Sequence, residues 1–337
     1  MTTAYCFDDV LLVPQMSHIE SRKDIDTSSF LDPKFGFRIP IISSPMDTVT
    51  EEKMCIAMES MGGFGIIHRY NSVEDQAKLI KRARSHSTFV GAAVGVSGDF
   101  IHRAQAAVQE GASLVCVDIA HGHHVKMRYA LEVLRNTFGT SVHIMAGNVA
   151  TRKAFDDLSD WGADSIRVGI GGGSICSTRI QTGHGMPTLQ SIIDCSASDR
   201  DSTLIADGGI RTSGDIVKAL AAGADFVMLG SLLSATDESP GEVIYKDGRS
   251  FKTYRGMASV EAQIDWRGHA SSVEGVSSLL PRKGPLSHIL EGLETGIRSG
   301  LSYSGAANII ELQSKSEFVV QTYAGSTESS THIEKLN

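Results

Sequence analysis

Ser165-Ile-Arg-Val-Gly-Ile-Gly-Gly-Gly-Ser-Ile-Cys-Ser-Thr-Arg179 runs from a short apolar segment straight into a glycine loop. Glycine lacks a Cβ, so such a loop lets backbone come close to a ligand. At the end of a strand it also turns N–H groups toward a phosphate. Behind the glycines stand Ser174, Cys176, Thr178 and Arg179. A Cys with a hydroxyl two residues on and an Arg beside it has the makeup of a thiolate nucleophile with a proton-handling neighbour. Taken alone, the loop reads more plainly as a flexible turn around an inert buried Cys. The rest of the chain decides otherwise.

Outward from this stretch, β-branched runs alternate with helical patterns. The strands expected are Ile39–Ser43, Gly65–His68, Phe89–Val94, Leu114–Val117, Val142–Met145, Ser165–Val168, Thr203–Ala206 and Phe226–Leu229. Between them the spacing predicts helices over 51–61, 73–84, 99–109, 124–138, 151–161, 188–194 and 213–222. Continuous apolar strands belong to a parallel sheet covered on both faces. Gly111-Ala-Ser, Gly162-Ala-Asp and Gly223-Ala-Asp repeat one joint, a helix C-cap glycine leading into the next strand. Eight such units in about 200 residues favour a (β/α)8 TIM barrel. An open doubly wound sheet is the alternative, but no GxGxxG opens the first unit.

Residues after the strands are then the candidates for chemistry. They are Ser44, Met46, Arg69, Asp118, His121, Gly147, Asn148, the Cys176 loop, Asp207-Gly-Gly209 and Gly230-Ser231. The glycines after the seventh and eighth strands suit a phosphate, and Asp207 suits the two hydroxyls of a ribose. A helix N-cap is the plainer role for Asp207, but Thr212 or Ser213 fills it better. A polar segment from about 235 to 285 reads as a lid, with a hairpin turn at Lys246-Asp-Gly248. Helices at 286–299 and 304–313 follow. Residues 1–325 are expected to form one domain, and 326–337 a frayed polar tail.

The 337 residues are 41% apolar and carry a net charge of −8, with no basic patch, which argues against a nucleic-acid partner. Five irregularly spaced cysteines and no CxxC argue against a disulfide framework or zinc site. Neither a signal peptide nor a membrane span is legible, so a cytoplasmic location is expected.

Seven motifs in order carry a resemblance. They are Phe7-Asp-Asp-Val-Leu-Leu-Val-Pro14, Ser44-Pro-Met-Asp-Thr-Val49, the glycine–Cys loop, Ala206-Asp-Gly-Gly-Ile210, Met228-Leu-Gly-Ser231, Tyr254-Arg-Gly-Met257 and Glu274-Gly275. Over nearly its whole length the chain resembles the IMP dehydrogenase/GMP reductase family. The resemblance implies a TIM barrel, commonly tetrameric, that bonds its Cys to C2 of a purine nucleotide. It implies Cys176 as nucleophile, Thr178 as proton shuttle and Glu274 as the group holding the purine tautomer. For the nucleotide it implies Ser44, Met46, Ser174, Asp207, Gly208, Gly209, Gly230, Ser231, Tyr254, Gly256, Met257, Ala258 and Gly275. For NADPH, or NAD in a dehydrogenase, it implies Ser21, Arg22, Arg69, Asp118, Ile119, Ala120, Gly171 and Gly172. For a monovalent cation such as K+ it implies Gly171, Gly173, Cys176 and Arg179. The family's usual Pro is Gly172 here.

Within the family, four features resemble the reductases. Arg84-Ser-His-Ser-Thr-Phe89 joins the second helix to the third strand where dehydrogenases usually carry a pair of regulatory CBS modules. The lid lacks their water-activating Arg-Tyr pair and reads Asp265-Trp-Arg-Gly-His269. Glu20-Ser-Arg-Lys-Asp-Ile-Asp26 looks like a reductase segment that reaches the cofactor across a subunit interface. Ala120 and the basic Arg69 also fit. By contrast, 43–51 and 61–68 look more like the dehydrogenases, and Trp266-Arg267 could replace the missing pair. GMP reductase is the expectation and IMP dehydrogenase the alternative. A nucleotide sensor without catalysis is a third reading, opposed by the intact Cys176, Thr178 and Glu274.

Overall fold

The computed structural model describes residues 2–329. Eight parallel strands close a barrel: β1 (Ile41–Ser43), β2 (Phe64–Ile67), β3 (Gly91–Val94), β4 (Leu114–Asp118), β5 (His143–Val149), β6 (Ser165–Val168), β7 (Thr203–Asp207) and β8 (Phe226–Leu229). Strand β8 pairs with β1 through Val227 and Ile41, which completes the ring. The helices between them are α1 (Glu52–Ser60), α2 (Val73–Arg84), α3 (Phe100–Gln109), α4 (Val125–Phe138), α5 (Arg152–Asp160), α6 (Thr188–Ser196), α7 (Ser213–Ala221) and, after the lid, α8 (Leu286–Tyr303). The expected (β/α)8 barrel is the observed fold, and α2 leads to β3 without an inserted module.

Alternation along each strand sorts the side chains. Ile41, Val115, Val117, Ile144, Ile166, Val168, Val227 and Leu229 face the helices in one continuous core. Ile42, Phe64, Ile66, Leu114, Cys116, Met145, Ile205, Phe226 and Met228 fill the barrel. A hairpin of Ser29–Asp32 and Phe35–Phe37 plugs its lower end, where Phe35, Phe37, Phe64, Phe89 and Phe226 pack edge to face or tilted. That plug leaves the carboxyl ends of the strands as the open face.

The three Gly-Ala joints behave alike. Gly111, Gly162 and Gly223 have φ of 101°, 106° and 108°. The next Ala reaches back in each case: Ala112 N–H donates to Ala107 O, Ala163 to Leu158 O, and Ala224 to Ala219 O. These six-to-one bonds stop the helix and aim the chain into the next strand.

Several boundaries differ from the expectation. Asp99, His124 and Thr151 are N-caps, so α3, α4 and α5 begin one residue later than predicted. Helix α8 does not stop at Ser299 but continues to Tyr303. Its Gly300 is there for packing: a Cβ would lie 2.5 Å from Val217 Cγ2, and one on Gly296 2.1 Å from Ser213 Oγ. The following helix is Ile309–Lys315, capped by Asn308, rather than 304–313. The lid is a three-stranded antiparallel sheet (Val243–Lys246, Arg249–Arg255, Ser277–Pro281) with a helix, Val260–Arg267. The hairpin at Asp247-Gly248 is present, both residues at positive φ. Val10–Leu12 pairs with Phe318–Val320. A helix, Tyr323–Glu328, crosses the boundary expected at 325, and the tail beyond 329 lies outside the described residues.

Candidate active site

The open face holds a cavity of about 440 Å3. Lining it are residues that follow β1, β2 and β4 to β8, together with the lid. Its floor carries the Cys176 loop, and the reason is backbone weaving. Ser177 N–H donates to Glu274 O at 2.8 Å and Val276 N–H to Ile175 O at 3.1 Å. On the other side of that segment Glu274 N–H donates to Ala258 O, and Gly256 N–H to Val276 O. The lid's 274–276 segment is thus stitched between the Cys loop and 256–258. Gly256 and Gly275 make this possible: a Cβ on either would lie 3.3 Å from the other's Cα.

The stitching brings three predicted catalytic residues into one line. Cys176 Sγ lies 3.2 Å from Thr178 Oγ1 and donates to it. Thr178 Oγ1 donates to Glu274 Oε2 at 2.7 Å. A hydroxyl that accepts from a thiol and donates to a carboxylate can carry a proton either way. The other cysteines play no part. All five are free. Burial pushes the thiols of Cys116 and Cys195 up to about 12, and that of Cys55 higher still. Among the described residues Cys176 is the cysteine that lines the cavity.

At one end, Ser174, Gly208, Gly209, Gly230, Ser231 and Tyr254 come together. Burial pushes the Tyr254 phenol up to about 12, and its hydrogen bond with Ser174 works against that. A Cβ on Gly230 would sit 3.0 Å from Tyr254 Oη and 3.2 Å from Met46 Sδ. The nucleotide candidates Ser44, Met46, Met257 and Ala258 line the adjoining wall, and Asp47 N–H meets Met257 Sδ at 3.4 Å.

Asp207 stands at the centre and does not cap a helix; Thr212 caps α7 by accepting from Asp215 N–H. Its Oδ2 takes Arg167 Nε at 3.1 Å, Arg167 Nη2 at 2.8 Å and Asn148 Nδ2 at 2.9 Å. Arg167 also donates to Asp118 Oδ1 at 2.5 Å. Burial alone would lower the Arg167 pKa; Asp207 and Asp118 raise it well above its ordinary value. Sequence reasoning passed over Arg167. The available signal was one Arg on an inward register between two strands that end in Asp.

At the other end, Arg69, Asp118, Ile119 and Ala120 line the cavity, and Tyr70 joins them; Gly171 also lines it, and Gly172 lies against Gly208 and Gly209. Ser21 and Arg22 are not there. Ser21 caps a short 3-10 turn, and Arg22 bonds Ser299 Oγ at 2.9 Å and lies over Tyr303 on α8. The cation candidates Gly171, Gly173, Cys176 and Arg179 lie together on the glycine loop and the helical turn that follows it. Gly173 O accepts the Cys176 N–H at 3.1 Å, and Arg179 packs its stem against Gly171 while donating to Met186 O. Trp266 and Arg267 lie outside the cavity lining. Arg267 is held by Ser271 Oγ at 2.7 Å and by His269 O at 3.2 Å.

A family model described as the IMP dehydrogenase/GMP reductase domain matches residues 4–332. The chain belongs to the IMP dehydrogenase/GMP reductase family. Within it, the chain is 33% identical to an inosine-5′-monophosphate dehydrogenase of Nitrosopumilus maritimus, over 97% of each protein. It is also 33% identical to a GMP reductase of Leishmania major, over 98% of this chain and 97% of that one. Those alignments span 464 and 479 positions, so both relatives carry sequence that these 337 residues lack. A GMP reductase of Trypanosoma brucei, solved in complex with guanosine 5′-monophosphate, superposes with a TM-score of 0.94 at 31% identity, over 99% of both chains. The family comprises NAD(P)-dependent purine-nucleotide oxidoreductases, and identity alone does not separate its two activities. No helix among the described residues is long and apolar enough to cross a membrane.

Proposed function

We propose that this protein is a GMP reductase, converting GMP and NADPH to IMP, ammonia and NADP+. The hydrogen-bonded line Cys176–Thr178–Glu274 carries this reading. The phosphate of GMP would lie among Ser174, Gly209, Gly230, Ser231 and Tyr254, and its ribose against Asp207. Cys176 adds to C2 as its proton passes through Thr178 toward Glu274. The same pair returns a proton to the 2-amino group, the C2–N bond breaks and ammonia leaves. The nucleotide then stands as a thioimidate on Cys176. Bound NADPH supplies a hydride to C2; Cys176 departs as thiolate and recovers a proton through Thr178.

The residues at the far end of the cavity fit a dinucleotide. Arg69 Nε is buried without a hydrogen-bond acceptor, 3.8 Å from Asp118 Oδ2, so a charged donor there awaits an anionic or carbonyl ligand. Gly171 and Gly172 line the cavity together with Cys176. No step above uses a monovalent cation.

IMP dehydrogenase remains the second reading, favoured by the segments 43–51 and 61–68, which touch through Glu51 and His68 at 3.2 Å. It needs a group that activates water at the thioimidate. Arg267 is committed to the lid's own loop, which weighs against it. The test follows NADPH absorbance and ammonia. Equimolar loss of NADPH and release of ammonia with GMP supports the reductase. NADH formation from IMP and NAD+, without the first reaction, replaces it with the dehydrogenase. A homotetramer and a cytoplasmic setting accompany the proposal.

A further inference from the structure

The lid helix Val260–Arg267 reaches the barrel through two adjacent residues, Asp265 by way of the lid's own Arg255 and Trp266 directly. Asp265 pairs with Arg255 at 2.6 Å, and Arg255 pairs with Asp47 after β1 at 2.6 Å. Trp266 stacks on Tyr70 after β2, with ring centroids 4.3 Å apart and planes 12° from parallel. The Arg69 guanidinium lies 5.4 Å from the centroid of each ring. Arg69 in turn donates from Nη2 to Asp118 O at 3.2 Å. Tyr70 and Arg69 line the cavity; Trp266 does not. Trp266 therefore touches the guanidinium and the ring that face the ligand without reaching the ligand itself.

We infer that Trp266 is a positioning residue for cofactor binding: docked on Tyr70, it holds the Arg69 guanidinium against Asp118, so that the cofactor end of the cavity is complete only when the lid helix is down. Two attractions act together. The aromatic faces bury each other, and the cation sits in the field of both rings. Arg69 otherwise has four rotatable bonds, with the Asp118 carbonyl at 3.2 Å and the Asp118 carboxylate at 3.8 Å to direct it. Removing the indole frees the guanidinium to turn toward water, and a ligand must then reorder it on binding. The inference rests on the reading of this cavity end as a dinucleotide site.

Two measurements separate its failure from the failure of that reading. The first needs no ligand. The chain has two tryptophans, Trp161 and Trp266, so a Trp161→Phe protein reports Trp266 alone. Adding Tyr70→Leu should shift its emission to the red; no shift would mean that the stack does not form, and the latch falls. The second is calorimetric binding to protein carrying Cys176→Ala, which cannot turn over. Trp266→Ala should weaken NADPH roughly ten-fold and GMP less than two-fold, while Trp266→Phe should recover most of the loss. Equal weakening of both ligands, or no rescue by Phe, would make Trp266 merely structural and overturn the proposal. Should the parent bind NAD+ and not NADPH, the reductase reading fails and the same comparison with NAD+ decides the latch. Binding neither overturns both.

Discussion

Replacing Thr178 by Val removes one oxygen and keeps the shape of the side chain. In the structure that oxygen sits 3.2 Å from Cys176 Sγ and 2.7 Å from Glu274 Oε2. No direct hydrogen bond joins Cys176 to Glu274, so Val interrupts the line at its single bridge. Positioned proton transfer is worth about 10²- to 10⁴-fold in rate, or about 3–5 kcal/mol of barrier. The turnover number should fall by that much. GMP binding should change less than about three-fold, because the phosphate and ribose contacts lie elsewhere. Thr178→Ser, which keeps the hydroxyl, should stay within about ten-fold of the parent. The assay is steady-state NADPH consumption beside a direct GMP titration. A Val variant that turns over within three-fold of the parent would refute the relay. A loss confined to GMP affinity would reassign Thr178 to binding.

Two further substitutions test the frame around the site. Asp225 accepts the Leu204 N–H at 2.8 Å, and burial pushes its carboxyl up to about 6. Between the ordinary carboxylate value and 6 the folded protein holds a proton that the unfolded chain has lost, so stability falls as pH rises through that window. Asp225→Asn should therefore raise stability by on the order of 1 kcal/mol at pH 7 and by nothing at pH 4; an equal gain at both would point to another cause. At Gly172 a Cβ would lie 2.4 Å from Thr188 Oγ1, which is buried and unpartnered. Gly172→Ala should cost about 1–3 kcal/mol through overpacking, and adding Thr188→Ala should restore thermal stability and activity; failure to restore them would show that Gly172 is needed for its backbone.

The barrel was legible because its signal is local. Each of the eight strands is an apolar run, and the Gly-Ala joints repeat the same stop three times. Helix starts came out one residue early where the residue that signals the start, such as Thr151 or His124, is itself the cap. The end of α8 was misread because Gly300 carries the usual stop signal, while its actual reason is the close approach of Val217. Of the lid sheet only the turn at Lys246-Asp-Gly248 was legible, for a different reason. Val243–Lys246 is exposed along its length, so it has no buried face to impose a period of two. At the site, Cys176 and Thr178 were marked by the glycine loop itself, while Glu274, 96 residues from Thr178, was named through resemblance. Arg167 and Tyr70 were missed, and Trp266 was named only as a stand-in for a water-activating pair. Their meaning lies in pairings across the barrel mouth, which only the closed ring and docked lid create.

The covalent role of Cys176 is the point on which the whole account turns. Protein quenched in acid during turnover with GMP and NADPH, then digested and weighed, tests it most directly. The account predicts a purine nucleotide attached to the peptide that contains Cys176, formed as ammonia is released. It also predicts that Cys176→Ala binds GMP but forms neither adduct nor IMP. Turnover without a nucleotide on that peptide, or IMP formation by the Cys176→Ala protein, would contradict it.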